Sequence, residues 1–266
     1  MPLRAVLFDV GETLVHPAPS FPELFSTVVA AEGHDRSPEA VIEASRAVFH
    51  RFSEAARDVE LWTTSPERSA RFWKSVYERM LGELDIPDDG HLADVLYATF
   101  TDPANYELFD DVEPALDELE AAGLVLAIVS NFEAWLEDLL GTLGVRDRFG
   151  VRVISGREGV EKPDLRIFEL ALERLSLDPA DAMYVGDNPE FDVVPAATLG
   201  MTPVLIDRRG RYPDAEGPRI SDLRELPSLV RAVALLRTGS SRCRTRTRSC
   251  PSSASGCRVS AKRGSV

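Results

Sequence analysis

The sequence predicts an α/β protein built on a parallel sheet, with an all-helical segment inserted after the first strand. Three observations carry that prediction. Short apolar runs recur along the chain, each ending at a small, polar or acidic residue. Amphipathic helical patterns lie between them, and residues 20 to about 105 show helical periodicity with little strand signal. Strands that alternate with helices give parallel sheets, because a parallel neighbour needs a crossover connection.

The first run, AVLF at 5–8, ends at Asp9, with Gly11 and Thr13 just beyond. It reads as a fully buried strand feeding a tight loop. Pro17, Pro19 and Pro22 mark the entry to the inserted segment, whose apolar positions recur at helical spacing over 21–31, 38–57, 66–84 and 91–100. The aromatic stripe Phe72, Trp73 and Tyr77 is expected as core packing, and the polar stretch Thr101–Asn105 as the exit. Helical patterns at 112–122, 133–143 and 164–175 then alternate with apolar runs at 124–129, 151–154, 182–185 and 203–206. These runs end at Ser130, Ser155, Gly186 and Asp207, and a last amphipathic helix begins near residue 226. Ligands of such sheets sit outside the carboxyl ends of the strands, so Asp9, Ser130 and Asp187 are expected in one crevice.

Composition narrows the function classes. The chain has 266 residues, is 44% hydrophobic and carries a formal net charge of -14. Residues 242–263 hold seven basic and no acidic residues, so the rest of the chain is more acidic still. An acidic body argues against a nucleic-acid partner. An anionic substrate would have to be held by a local cation or a metal. No apolar run reaches bilayer length and no cleavage site follows the first run, so no membrane association and a cytoplasmic protein are expected. Cys243, Cys250 and Cys257 all lie in the basic tail, without the close pairing of a zinc site, and residues 238–266 are expected to be disordered. No strip of the pattern separates an oligomer contact from core, so oligomeric state is left open.

Four ordered segments carry chemistry: LFDVGETLV at 7–15, IVSNF at 128–132, GVEKPDLRIF at 159–168 and VGDNPEFDVVPAATLG at 185–200. Together they resemble the haloacid dehalogenase-like superfamily, in the subfamily IA-like arrangement with an inserted C1-type cap. The resemblance implies a Rossmann-like parallel sheet core at 1–16 and 106–237 and an all-helical cap at 17–105. It also implies hydrolysis of a small phosphorylated metabolite through an aspartyl-phosphate intermediate, with Mg2+ as cofactor. By that resemblance Asp9 is the nucleophile, and Ser130, with Asn131 beside it, binds the transferring group. Lys162 neutralises both, Asp187 binds the metal together with Asp9 and the backbone carbonyl of Gly11, and Asp192 and Asn188 support the set. The residue types suit these roles. A carboxylate nucleophile needs no activating base, and hard carboxylate oxygens suit Mg2+. Only Lys74 and Lys162 precede the basic tail, in a chain that otherwise uses arginine, which marks Lys162 as a compact point charge.

The chain departs from the family at Gly11, where the resemblance would place a second aspartate acting as general acid and base. Such a group contributes about 10² to 10⁴-fold. Four readings of Gly11 stand open. In the first, a working phosphatase uses Glu12, His16 or water instead, or acts on a leaving group that needs no proton. The second is a metal-independent 2-haloacid dehalogenase. The third is a phosphonatase using Lys74, and the fourth a catalytically weakened binding protein.

Overall fold

A computed structural model describes residues 3–55 and 62–244. Strand β1 (Ala5–Phe8) leads into a short strand β2 (Val15–Pro17), then four helices: α1 (Phe21–Ala31), α2 (Pro38–Ala55), α3 (Pro66–Glu83) and α4 (His91–Phe100). Strand β3 (Tyr106–Leu108) returns the chain to α5 (Val112–Ala121) and β4 (Val125–Ser130). There follow α6 (Leu136–Thr142), β5 (Val151–Ile154), the single turn α7 (Ser155–Glu158), α8 (Leu165–Leu175) and β6 (Ala182–Gly186). A π-helical turn at Pro189–Val193 runs into α9 (Val194–Leu199), then β7 (Thr202–Ile206), β8 (Arg219–Ile220) and α10 (Leu226–Arg244).

The main sheet has six parallel strands in the order β5-β4-β1-β6-β7-β8. This is the α/β architecture with a parallel sheet that the alternating pattern predicts. All four residues of β1 are buried, and the side-chain alternation of a strand sends them to opposite faces. Val6 and Phe8 join α5, α6 and α10 in one core, while Ala5 and Leu7 join α8 and α9 in another. Both faces are thus covered by helices, which is why these strands read as continuous apolar runs. The chain runs outward from β1 to β4 and β5, then crosses back to β6 on the other side of β1. The carboxyl ends of β1, β4 and β6 therefore flank the point where strand order reverses, which is where open parallel sheets hold their ligands.

Helices α1 to α4 bury one another in a third core drawn from Phe25 to Phe100. Tyr77 belongs to this core, with Phe72 and Trp73 packed against it, as the stripe predicts. The caps of α1 and α3 are serines, Ser20 and Ser65, each followed by proline in the first turn. The segment leaves and re-enters the sheet body through an antiparallel ribbon in which His16 faces Glu107 and Pro17 faces Tyr106.

Helix α10 continues past Arg237 to Arg244, and the remainder of the expected basic tail, 245–266, lies outside the described residues. Among the described residues no helix is long and apolar enough to cross a membrane.

Candidate active site

Asp9 follows the last residue of β1, and its N–H donates to Val185 O of β6 at 2.9 Å, fixing the backbone between neighbouring strand ends. The loop beyond is folded by three N–H groups, of Thr13, Leu14 and Val15, that donate to Val10 O. Glu12 lies in the left-handed region at φ 55°, a conformation that side chains other than glycine adopt at a cost. The Asp9 side chain is buried and accepts at Oδ1 from Ser130 Oγ at 2.9 Å and Lys162 Nζ at 2.8 Å. Both donors reach one oxygen, so the carboxylate is gripped by one edge while Oδ2 accepts from neither.

Lys162 sits between two carboxylates. Its ammonium also donates to Asp192 Oδ1 at 2.6 Å and to Tyr184 OH at 3.3 Å. Burial alone would depress its pKa, but Asp192 and Asp9 more than offset that and hold it above the ordinary lysine range. Its backbone is fixed as well. Asn131 Nδ2 donates to Lys162 O at 2.9 Å, and the Lys162 N–H donates to Asn131 Oδ1 at 2.6 Å. The loop after β4 and the loop before α8 are thereby locked as one unit.

Asp192 is held on its other side by the Asn188 N–H at 3.0 Å, and Asn188 Oδ1 accepts from the N–H groups of Glu190 and Phe191 to start the π-helical turn. The carboxyl of Asp192 packs against Gly186 so closely that a Cβ there would overlap it. Asp187 accepts from the Arg211 guanidinium at 2.7 Å. Burial, with Asp192 and Asp9 close by, pushes the Asp187 carboxyl up to about 7.

Asp9, Asp187 and Asp192 each offer a carboxylate oxygen within 4.8 Å of the others. Three carboxyl groups thus face the two cations of Lys162 and Arg211, and the repulsion and burial that raise Asp187 would be relieved by a bound cation. That donor set fits a hard divalent cation taking oxygen ligands. Asp9, Ser130, Asn131, Lys162, Asp187, Asn188 and Asp192 are therefore brought together, and Gly11 lies in the loop two residues beyond Asp9.

The substitutes for an aspartate at 11 have other partners. Glu12 pairs with Arg209 at 2.7 Å. The His16 ring packs on Phe109 at 4.3 Å, with Nε2 3.6 Å from Glu107 and Nδ1 2.9 Å from Pro17 O. Lys74 pairs with Asp94 at 2.7 Å and lies over the Tyr97 ring.

Two site residues, Tyr184 and Arg211, and two residues bordering the site, Glu133 and Glu161, are given no role by the motifs. Tyr184, within the β6 run, donates to Val129 O at 2.8 Å and contacts Asp192 Oδ1 at 3.1 Å. Burial keeps its hydroxyl well above the ordinary tyrosine range, so it stays a donor. Its one sequence cue is a hydroxyl inside an apolar run. Arg211, Glu133 and Glu161 sit in loops where only tertiary structure reveals their partners.

The family model described as a hydrolase, haloacid dehalogenase-like hydrolase, matches residues 3–200. A haloacid dehalogenase-like hydrolase domain-containing protein 3 from Mus musculus is 32% identical over 88% of this chain and 94% of its own. A phosphoserine phosphatase from Thermus thermophilus is 29% identical over 84% and 98%. Among solved structures, a magnesium-bound HAD-hydrolase from Bacillus subtilis superposes with a TM-score of 0.69 at 16% identity, covering 87% of this chain and all of that one. An L-2-haloacid dehalogenase superposes with a TM-score of 0.66 at 23% identity, with the same coverage. At these identities the structural likeness speaks for the fold, and the family match over most of the chain decides membership: this protein is a hydrolase of the haloacid dehalogenase-like superfamily.

Proposed function

We propose that the protein is a Mg2+-dependent phosphatase that cleaves a small phosphorylated metabolite through an aspartyl-phosphate on Asp9. The observation that carries this reading is the joint presence of a carboxylate gripped by Ser130 and Lys162 and a second carboxylate pair within 4.8 Å of it. A dehalogenase acting without metal has no use for that much negative charge around its nucleophile. The phosphoserine phosphatase relative supports the same direction.

In this mechanism Asp9 Oδ2, the oxygen that neither donor holds, attacks phosphorus. The bond from phosphorus to the leaving oxygen breaks, and the electron pair departs with that oxygen. Ser130 donates a hydrogen bond to a phosphoryl oxygen, and the Lys162 ammonium offsets the charge on these oxygens as it moves. Water then attacks phosphorus, releasing phosphate and regenerating the Asp9 carboxylate. Asp9, Asp187 and the carbonyl of Gly11 would hold Mg2+, which supplies charge neutralisation at the phosphoryl group. Lys162 stays protonated because Asp192 and Asp9 flank it. We assign residues 17–105 to a cap over the crevice and 1–16 with 106–237 to the catalytic core.

Gly11 favours substrates whose leaving oxygen departs as a stable anion, since Glu12 and His16 are held by Arg209 and Glu107. The same glycine favours the second reading, a metal-independent 2-haloacid dehalogenase, because halide leaves unprotonated. Phosphate release from acyl, aryl and sugar phosphates, with and without Mg2+, separates the two. The proposal predicts Mg2+-dependent turnover, fastest for acyl and aryl phosphates and lost in Asp9→Asn. Chloride release from 2-haloacids without metal, and no phosphate release, would overturn it.

A further inference from the structure

Two carboxylates border the site without belonging to it. Glu161 immediately precedes Lys162, and Glu133 comes three residues after Ser130. Both are engaged by the inserted helical segment. Glu161 is buried, and its side chain accepts from Trp62 N at 3.0 Å, Thr63 N at 2.7 Å and Thr63 Oγ1 at 2.6 Å, all of them neutral donors. Glu133 accepts from Ser69 Oγ of α3 at 2.7 Å and from Tyr97 OH of α4 at 3.1 Å.

The first contact extends further into the core. Thr63 Oγ1 lies 2.5 Å from Ser155 Oγ, which accepts from Phe132 N at 2.9 Å, and Phe132 is two residues past Ser130. Gly156 follows Ser155, and a Cβ there would sit 2.9 Å from backbone atoms of residues 132–134, so this loop has no room to drift. The Trp62 ring stacks on Phe72 of α3 at 4.6 Å and meets Phe191 at 5.8 Å, one residue before Asp192. One short segment thus touches Glu161 beside Lys162 and Phe191 beside Asp192, and reaches the loop of Ser130 through Ser155.

We propose that Glu161 and Glu133 form a two-point socket that docks helices α1–α4 on the crevice, and that Glu161 is a positioning residue through which docking at Trp62–Thr63 sets the loop of Lys162. Its consequence for turnover rests on the phosphatase reading; the docking itself does not. The chemistry explains why an acid is needed at 161. Both oxygens must accept, and a glutamine would turn its amide donor toward the N–H of Trp62 or Thr63. Losing hydrogen bonds to a buried charged group shifts an equilibrium by about 10-fold or more, so undocked forms should become populated.

The test uses the full chain with Trp73→Phe and Trp135→Phe, leaving Trp62 as its single tryptophan, and reads acrylamide quenching of Trp62 without substrate or metal. Glu161→Gln is expected to raise the quenching slope at least about twofold, Glu133→Gln to raise it less, and Thr63→Ser to keep the parent value. A parent slope in Glu161→Gln, with cooperative melting retained, would overturn the socket. If that variant does not melt cooperatively, Thr63→Val is read instead, where a rise supports the socket and a parent slope overturns it. Because no turnover enters the readout, failure of the socket and failure of the phosphatase reading are told apart. In a turnover assay, Glu161→Gln should lower kcat more than it raises KM, a split that a purely structural role would not produce.

Discussion

On the proposed mechanism, Gly11 is the residue on which the choice of leaving group turns. Its φ is not in the left-handed region, and a Cβ built on it meets no atom within 4 Å. Backbone geometry therefore does not require glycine there. Gly11→Asp should still unfold cooperatively, since a Cβ there meets no atom, with a destabilisation of about 1 kcal/mol from the carboxylate added near Asp9, Asp187 and Asp192. It should also raise kcat/KM for alkyl phosphates by about 10²-fold while leaving acyl phosphates nearly unchanged, because an added acid helps only a poor leaving group. The ratio of the two values, measured in parent and variant, checks this; an equal change for both would show that position 11 does not face the leaving oxygen. At this scale the sequence is informative where a polar residue stands at a strand end, as at Asp9 and Asp187, which the structure brings together beside Lys162. It was silent where function rests on proximity. Tyr184 reads as one more apolar strand residue until its hydroxyl is found 3.3 Å from Lys162 Nζ, and Arg211 reads as a surface loop residue until it is found on Asp187.

Among the elements, the buried parallel strands were the most legible, because both faces are covered and the run is apolar throughout. Helices α1 and α4 match the bounds set by their periodicity. The β2–β3 ribbon was not legible. Its strands have three residues each, include Pro17 and pair across the whole inserted segment, so no local pattern marks them. The π-helical turn at Pro189–Val193 was also hidden, since it depends on Asn188 capping and on Asp192 folding back against Gly186. That packing gives a sharp expectation at the end of β6. Gly186→Ala should push Asp192 off Lys162 and cost about 1–3 kcal/mol, the usual size of overpacking. Denaturant unfolding measures it, and an unchanged midpoint would mean that the turn has slack the packing does not suggest.

On the scale of the whole molecule, a sheet body and a helical segment with separate cores meet over one crevice. The sheet supplies Asp9, Ser130, Lys162, Asp187 and Asp192 from the ends of β1, β4 and β6 and from the loop before α8. The helical segment rests on Glu133 and Glu161 beside them. Alternation of strand and helix marks the sheet body in the sequence, whereas the contacts between it and the helical segment depend on loops whose partners lie 36 to 99 residues away. The central claim is that Asp9 becomes covalently phosphorylated, and borohydride trapping tests it most directly. Turnover of an aryl phosphate with Mg2+ is stopped with borohydride, which reduces an acyl phosphate to the alcohol, and the peptide containing Asp9 is examined by mass spectrometry. The account predicts homoserine at position 9, dependent on substrate and Mg2+. Continued phosphate release with Asp9 unmodified throughout would contradict it.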